Sequence, residues 1–163
     1  MGTPSEQQTN RQTDARSFET FYREQHDRTY RALGLALRNT TLAREATDEA
    51  MTRALERWDK IGLYARPEQW VFRVGLNWAI SRLRRRQYET LSVLVEPSTE
   101  DGLPDPTVTT ALAKLPVKLR AVVVARLYLD WSTETTGTAL GIPTGTVKSR
   151  LSRALTRLSK ELE

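Results

Sequence analysis

The stretch Ala139-Leu-Gly-Ile-Pro-Thr-Gly-Thr-Val-Lys-Ser-Arg-Leu-Ser-Arg-Ala154 decides the fold. Gly141 supplies the left-handed backbone conformation that turns a chain between two helices. Thr144 stands where it can cap the helix that follows, and the free N–H groups at such an end favour a phosphate. At about 100° per residue, Val147, Leu151, Ala154, Leu155, Leu158 and Leu162 share one face of that helix. Thr146, Ser149, Arg150, Arg153, Arg157 and Lys160 share the opposite face. A run of cations alone is more often the solvated side of a bundle helix. Here a turn, a cap and a segment without any acid from Thr135 to Lys160 coincide, which points to a helix-turn-helix with its last helix in a DNA groove. The candidate contacts are Thr144, Thr146, Lys148, Ser149, Arg150, Arg153 and Arg157.

Moving upstream, Thr133–Leu140 and Val117–Leu129 have helical spacing, and Ala111–Leu115 is a helical turn stopped by Pro116. Before them, Gln87–Ala113 carries five acids and no base (Glu89, Glu96, Glu100, Asp101 and Asp105), together with Pro97, Gly102, Pro104 and Pro106. Prolines break helices and like charges keep a chain extended and solvated, so this region reads as a linker. The predicted organisation is a disordered tail over 1–16, a helical module over 17–88, a linker over 89–108 and a helix-turn-helix module over 109–163. The fold class is all-α, with two small helical domains.

In the first module, Phe18, Phe21, Tyr22, Tyr30, Leu33 and Leu37 mark one amphipathic helix. Ala43, Ala46/Thr47, Ala50/Met51, Ala54/Leu55 and Trp58 mark a second, and Ile61–Pro67 is a breaker-rich loop. Pro67 suits the first turn of a third helix running to Arg86. That helix is apolar around most of its girth (Trp70, Val71, Phe72, Val74, Leu76, Trp78, Ile80, Leu83) and should lie deep in a bundle. On it, Arg73, Asn77, Ser81 and Arg84 form a narrow polar stripe that ends in a cluster of Arg82, Arg84, Arg85 and Arg86. Asn and Arg read base edges bidentately, and Arg clamps phosphates. Tyr64 and Arg66, in the preceding loop, have the chemistry to hold an unstacked base. The competing reading of the arginine cluster is a helix end that answers its own macrodipole.

Glu45, Asp48, Glu49 and Glu56 mark an acidic side of the second helix. A metal site in an all-α hydrolase would need a second carboxylate set on a facing helix, and the third helix offers only Glu68. A docking face for a basic partner is the stronger alternative. With no cysteine and a single histidine, His26, the chain has no disulfide or thiolate chemistry and almost nothing for a metal or a Ser-His relay. No cofactor is expected. His26 reads as a helix-surface or core-edge residue, and the four tryptophans read as core. The 25 Lys+Arg against 20 Asp+Glu give a net charge of +5, arranged in basic, acidic and basic blocks that suit a polyanionic partner. The polar N-terminus is not a secretory signal, and no apolar run approaches the ~20 residues of a membrane span, so a cytoplasmic location without membrane insertion is expected.

In this order and spacing the chain resembles an extracytoplasmic-function (ECF) sigma factor of the sigma-70 superfamily. Ala43–Leu55 with Trp58 looks like a degenerate form of the family's AEDLVQEVFLRAW, and Trp70–Arg85 is similar to WLxRVARNLAIDRLRR. Leu115-Pro116, Arg120–Val123, Arg126–Leu129 and Trp131-Ser132 match the family's last-domain opening, and Gly145–Leu155 reads GTVKSRLSRAL letter for letter. Departures are Arg44, Glu45 and Asp48 in the docking helix, Ser81 for a usual Asp, Thr135 for Glu and Gly137 for Ala. By propensity, Gly137 should weaken its helix by about 0.5–1 kcal/mol relative to Ala.

The resemblance implies a non-enzymatic protein that brings core RNA polymerase to promoter DNA. Glu45, Asp48, Glu49 and Arg53 would meet the β′ clamp helices. Tyr64, Arg66, Arg73, Asn77, Ser81, Arg82, Arg84 and Arg85 would read and hold open the −10 element. The second module would sit on the β flap and read the −35 element, with the linker in the RNA-exit path. An anti-sigma factor would be a further partner. The alternative is a sigma-like helix-turn-helix regulator that does not direct initiation. From the face analysis, Arg150→Ala should weaken −35 binding and leave polymerase capture by the first module intact, as measured by promoter footprinting beside a pull-down.

Overall fold

The computed structural model describes residues 17–89 and 106–163, and these form helices joined by short turns, with no strand among them. The tail over 1–16 and the heart of the acidic linker lie outside the described residues. Helix α1 spans Phe18–Leu37, α2 Thr40–Glu56, α3 Trp58–Ile61 and α4 Pro67–Glu89. The second half contains α5 (Pro106–Ala113), α6 (Val117–Val123), a π-helical turn over Val124–Tyr128, α7 (Thr133–Leu140) and α8 (Thr144–Leu162).

Local chemistry sets the helix starts. Ser17 Oγ accepts the Thr20 N–H at 3.2 Å, Asn39 Oδ1 accepts that of Leu42 at 2.9 Å, and Ser132 Oγ accepts that of Thr135 at 3.0 Å. Each is a side-chain cap on an otherwise unpaired helix-end donor. Helix α1 ends on Arg38, whose φ of 54° is left-handed, and its N–H returns to the Gly34 carbonyl at 2.9 Å. The turn between α1 and α2 is thereby reduced to two residues.

Helices α1, α2 and α4 pack together, as the periodicity predicts. Phe21, Ala50, Met51, Ala54 and Val71 close one cluster, against which Phe18, Trp58 and Trp70 pack. Trp58 lies edge-on to Phe18 at 5.4 Å between ring centroids. Helix α4 buries Val71, Phe72, Leu76 and Ala79, while Trp78, Ile80 and Leu83 are half-buried. Leu55, grouped by its spacing with the core, is 56% exposed. It lies one position off the buried line of Ala46, Ala50 and Ala54, on the solvent side of α2.

The helical reading of Val117–Leu129 is right in extent but not in geometry. The Leu129 N–H reaches back five residues to the Val124 carbonyl at 2.9 Å, and the Trp131 N–H six residues to Ala125 at 3.0 Å. The widened turn ends at Asp130, whose φ is 55°. The next residue, Trp131, is buried.

The turn between α7 and α8 has Gly141 at φ 68°, the conformation expected of it, with the Ile142 N–H on the Gly137 carbonyl at 2.9 Å. Thr144 does not cap α8. Pro143 occupies the cap position and has no side-chain acceptor, and its carbonyl instead takes the N–H groups of Thr146 and Val147 at 3.0 and 3.1 Å. On α8, Val147 and Ala154 are buried, but Leu155 and Leu162, assigned to the inner face, are 43% and 54% exposed.

The two modules do not stand apart. Leu33, Leu35, Ala36, Leu37, Phe72 and Leu76 share one buried cluster with Leu119, Val124, Leu129 and Trp131. Phe72 and Trp131 meet edge to face, 5.6 Å apart at 88°.

Gly137 illustrates how packing overrides propensity. A Cβ built there would lie 2.8 Å from the Ile142 carbonyl oxygen, a backbone atom held in the turn. Gly137→Ala should therefore lower stability by about 1–3 kcal/mol despite the better helix former. Thermal unfolding of the variant checks the sign: a raised midpoint would show that the turn has room.

Candidate nucleic-acid interface

Helix α8 presents its polar face as the sequence predicts. Thr144, Lys148, Ser149, Arg153 and Arg157 are exposed, while Thr146 and Arg150 are half-buried. Ser149 Oγ donates to the Thr146 carbonyl at 3.1 Å, which turns this hydroxyl back onto its own helix. Val147 and Ala154 seat the opposite face on the module, so the exposed cations stand on a helix fixed from beneath. The outcome is a rigid rod with one cationic side, the form suited to a major groove.

Helix α4 divides its candidates. Arg73, Asn77, Ser81, Arg84 and Arg85 are all exposed, at steps that place the first four along one stripe. Arg82 is different: its guanidinium lies over the Trp78 ring, 4.9 Å from the centroid, and the residue is half-buried. Its Nε has no hydrogen-bond partner. This arginine is held partly by the aromatic face rather than directed outward.

Tyr64 and Arg66 come together with Arg73 around a groove of about 460 Å³, with Trp70 on one side and Thr138 and Ala139 of α7 on the other. The spacing of the sequence brings the loop and α4 together here. It gives no sign that the second module supplies the facing wall.

On α2, Glu45 and Asp48 are exposed, and Glu49 is half-buried and paired with Arg53, Oε1 to Nε 2.8 Å. Asp48 also lies 3.5 Å from His26 Nε2 on α1, and Asp27 lies 3.1 Å from His26 Nδ1. His26 thus belongs to the edge of the acidic face. Among the described residues no group of three or more His, Cys, Asp or Glu is placed to hold a metal ion. None of their helices is long and apolar enough to cross a membrane.

Three arginines to which sequence reasoning gave no such role tie the modules together. Arg28 donates to the Leu129 carbonyl at 3.3 Å, Arg38 to the Thr109 carbonyl, and Arg120 back to the Ala36 carbonyl at 2.8 Å. Burial, and then the nearby Arg38 cation, pulls Arg120 down to about 10. It remains charged at neutral pH. Isolated arginines on helices have no spacing signature, so only the tertiary structure reveals this set.

An all-helical chain with a helix-turn-helix at its end and a polar arginine-bearing helix in its first module defines a DNA-directed helical protein. Residues 107–158 match Sigma-70, region 4. Over 90% of its length the chain is 34% identical to the RNA polymerase sigma-E factor of Streptomyces avermitilis, covering 85% of that protein. It is 32% identical over 91% to the ECF RNA polymerase sigma factor SigM of Mycobacterium tuberculosis, covering 79% of it. Among solved structures, the sigma factor RpoE in complex with the anti-sigma factor NepR from Bartonella quintana shares the fold, with a TM-score of 0.74 and 22% identity over 89% of this chain and 96% of that one. The chain belongs to the ECF sigma factors of the sigma-70 superfamily, which are transcription-initiation factors without enzymatic activity.

The difference between Arg82 and its neighbours generates a test. Arg82→Ala should lower stability by about 0.5–1 kcal/mol through loss of the Trp78 contact. Arg84→Ala and Arg85→Ala, on exposed positions, should leave the melting midpoint unchanged, and denaturant titration of the three variants compares them directly.

Proposed function

We propose that this sigma factor docks core RNA polymerase through the acidic side of α2 and reads its promoter with two separate helices. The observation that carries the reading is the division of labour on α8. A buried face of Val147 and Ala154 lies beneath exposed Lys148, Ser149, Arg153 and Arg157, in a segment without acid. Phosphate contacts from these cations supply affinity and a salt-sensitive on-rate, and a few base-edge contacts of about 1–3 kcal/mol each supply specificity at the −35 element. Arg150, Thr146 and Thr144 complete this surface.

In the first module, Asn77 stands on the exposed stripe between Arg73 and Ser81, with Arg84 and Arg85 beyond it as phosphate clamps. Tyr64 and Arg66 border a groove of a size to take a flipped base, next to Trp70. These residues, with Arg82 as a half-buried member, form the −10 reading and melting surface. A stripe running out from an aromatic groove suits a single strand, since stacking tolerates any base while Asn and Arg select.

Glu45, Asp48 and Glu49, with Arg53, meet the polymerase β′ clamp helices, and the exposed Leu55 adds an apolar contact beside them. The second module rests on the β flap. The domains are assigned as 17–88 and 109–163 around the acidic linker, with a polar tail before them. An anti-sigma factor covering the DNA-binding faces is the natural regulator, and the site of action is the cytoplasm.

Co-purification with core RNA polymerase tests the docking assignment. The wild-type chain should be retained. Asp48→Arg and Glu49→Arg should each reduce retention at least tenfold while the far-ultraviolet circular dichroism stays the same. Equal retention of both variants would move the docking surface off α2.

A further inference from the structure

The single histidine of the chain lies on the seam between α1 and α2, at the edge of the acidic face assigned to polymerase. Both of its ring nitrogens are directed at carboxylates. Nδ1 lies 3.1 Å from Asp27 Oδ1 on its own helix, and Nε2 lies 3.5 Å from Asp48 Oδ1 across the seam. The Tyr22 ring, one turn back on α1, is 4.7 Å away between centroids at 33°. The His26 side chain is 24% exposed, whereas those of Asp27 and Asp48 are 83% and 63% exposed. The ring is held in the seam, while the Asp48 carboxylate remains within reach of a partner.

Two carboxylates on one imidazole make its proton count matter. An ionised carboxylate only accepts, and a neutral imidazole carries a hydrogen on one nitrogen alone. In the neutral form one carboxylate therefore faces a ring lone pair. The imidazolium donates on both sides and sets a positive charge between Asp27 and Asp48, and the Tyr22 ring adds a contact that suits a cation. The other charged or titratable side chains within one helical turn are Arg23 and Tyr30 on α1 and Arg44 and Glu45 on α2. Arg23 is paired with Glu19 at 2.7 Å, and the Arg44 guanidinium lies over the Tyr30 ring, 5.7 Å from its centroid. Arginines and carboxylates keep their charge between about pH 6 and 8, the range in which an imidazole changes its own.

We infer that His26 makes polymerase capture proton-dependent: its imidazolium pairs Asp48 within the protein, and loss of the proton frees that carboxylate for the partner. The inference rests on the assignment of Glu45, Asp48 and Glu49 to polymerase docking. A basic docking surface and the imidazolium compete for one carboxylate, so each weakens the other's hold on it. Acidification then reduces capture, and binding of polymerase releases a proton. The sign follows from charge. With the proton on, the acidic side of α2 has a cation beside it; with the proton off, it meets the partner at full negative strength.

The test uses the full chain, His26→Gln and Asp48→Asn, each shown to be folded by circular dichroism. Each is titrated against fluorescently labelled core RNA polymerase at about pH 8 and about pH 6, at fixed ionic strength. Glutamine does not titrate, so His26→Gln reports the pH response that belongs to polymerase itself. Between the two conditions the wild type should lose about two- to fivefold more affinity than His26→Gln, the scale of one exposed ion pair. Asp48→Asn should bind more weakly at the higher pH and respond to pH as His26→Gln does. Equal responses of wild type and His26→Gln, with Asp48→Asn weakened, would overturn the proton dependence and leave docking on α2 standing. An Asp48→Asn chain that keeps the wild-type response would overturn the pairing. Asp48→Asn binding as tightly as wild type at the higher pH would instead overturn the docking assignment and the inference with it. Calorimetry of the wild type at about pH 6.5, in two buffers of different ionisation heat, checks the coupling without a variant. Net release of protons on binding is expected, and no release, or uptake, would overturn the inference.

Discussion

Six consecutive residues of α1, Ala32 to Leu37, are buried on every side of the helix, and the remainder of the molecule is arranged around that constraint. An amphipathic helix needs cover on one face only. A helix end buried all round needs neighbours on both, and here α2 and α4 fill one side while α6 and the π-helical turn fill the other. The buried main chain must also be satisfied. Arg120 provides for the Ala36 carbonyl, and the left-handed Arg38 closes the helix by returning its N–H to Gly34. The short turn into α2, the depth of Phe72 and the seat of Trp131 all depend on that helix end.

Much of this was legible in the sequence. Gly141 announced the turn, the line of Ala43, Ala46/Thr47, Ala50 and Ala54 announced the inner face of α2, and the apolar girth of α4 announced its depth. These succeed because helical periodicity is a local property written in side-chain polarity. The misses have a shared cause. Thr144 has the chemistry of a cap, but Pro143 takes that position. Leu155 and Leu162 have the right angle for the core, but α8 fully buries only Val147 and Ala154, and both leucines stay exposed. Gly137 looks like a weak helix residue until the Ile142 carbonyl is placed beside it. In each case the deciding neighbour comes from the way elements meet, which residue spacing does not encode.

The same division applies to the functional surfaces. Arginine and hydroxyl side chains at helical spacing could be grouped by face from sequence, and most of those on α8 are exposed together. Arg82 belongs to the same run as Arg84 and Arg85 yet spends its guanidinium on Trp78, a partner four residues back on the same helix. The role of Arg28, Arg38 and Arg120 between the modules has no sequence signature because their acceptors are carbonyls 71 to 101 residues away in the chain. The family resemblance is stronger in the second half, where residues 107–158 match region 4, than along α2, where Arg44, Glu45 and Asp48 depart from the usual pattern. The acidic side of α2 is therefore where this chain departs most from the family pattern.

The all-round burial of Ala32–Leu37 also has a meaning for the chain as it is made. Trp131 and the π-helical turn leave the ribosome about 90 residues after this helix end, which at ~5–20 residues per second is a delay of roughly 5–20 s. During that interval α1, α2 and α4 can assemble, but the far side of α1 has nothing to cover it. A nascent first module would display an apolar strip in the crowded cell until its other half arrives, and so would be a client for chaperones that shield such strips. The order of synthesis, and not only the finished contacts, then becomes a condition for a productive yield of this protein.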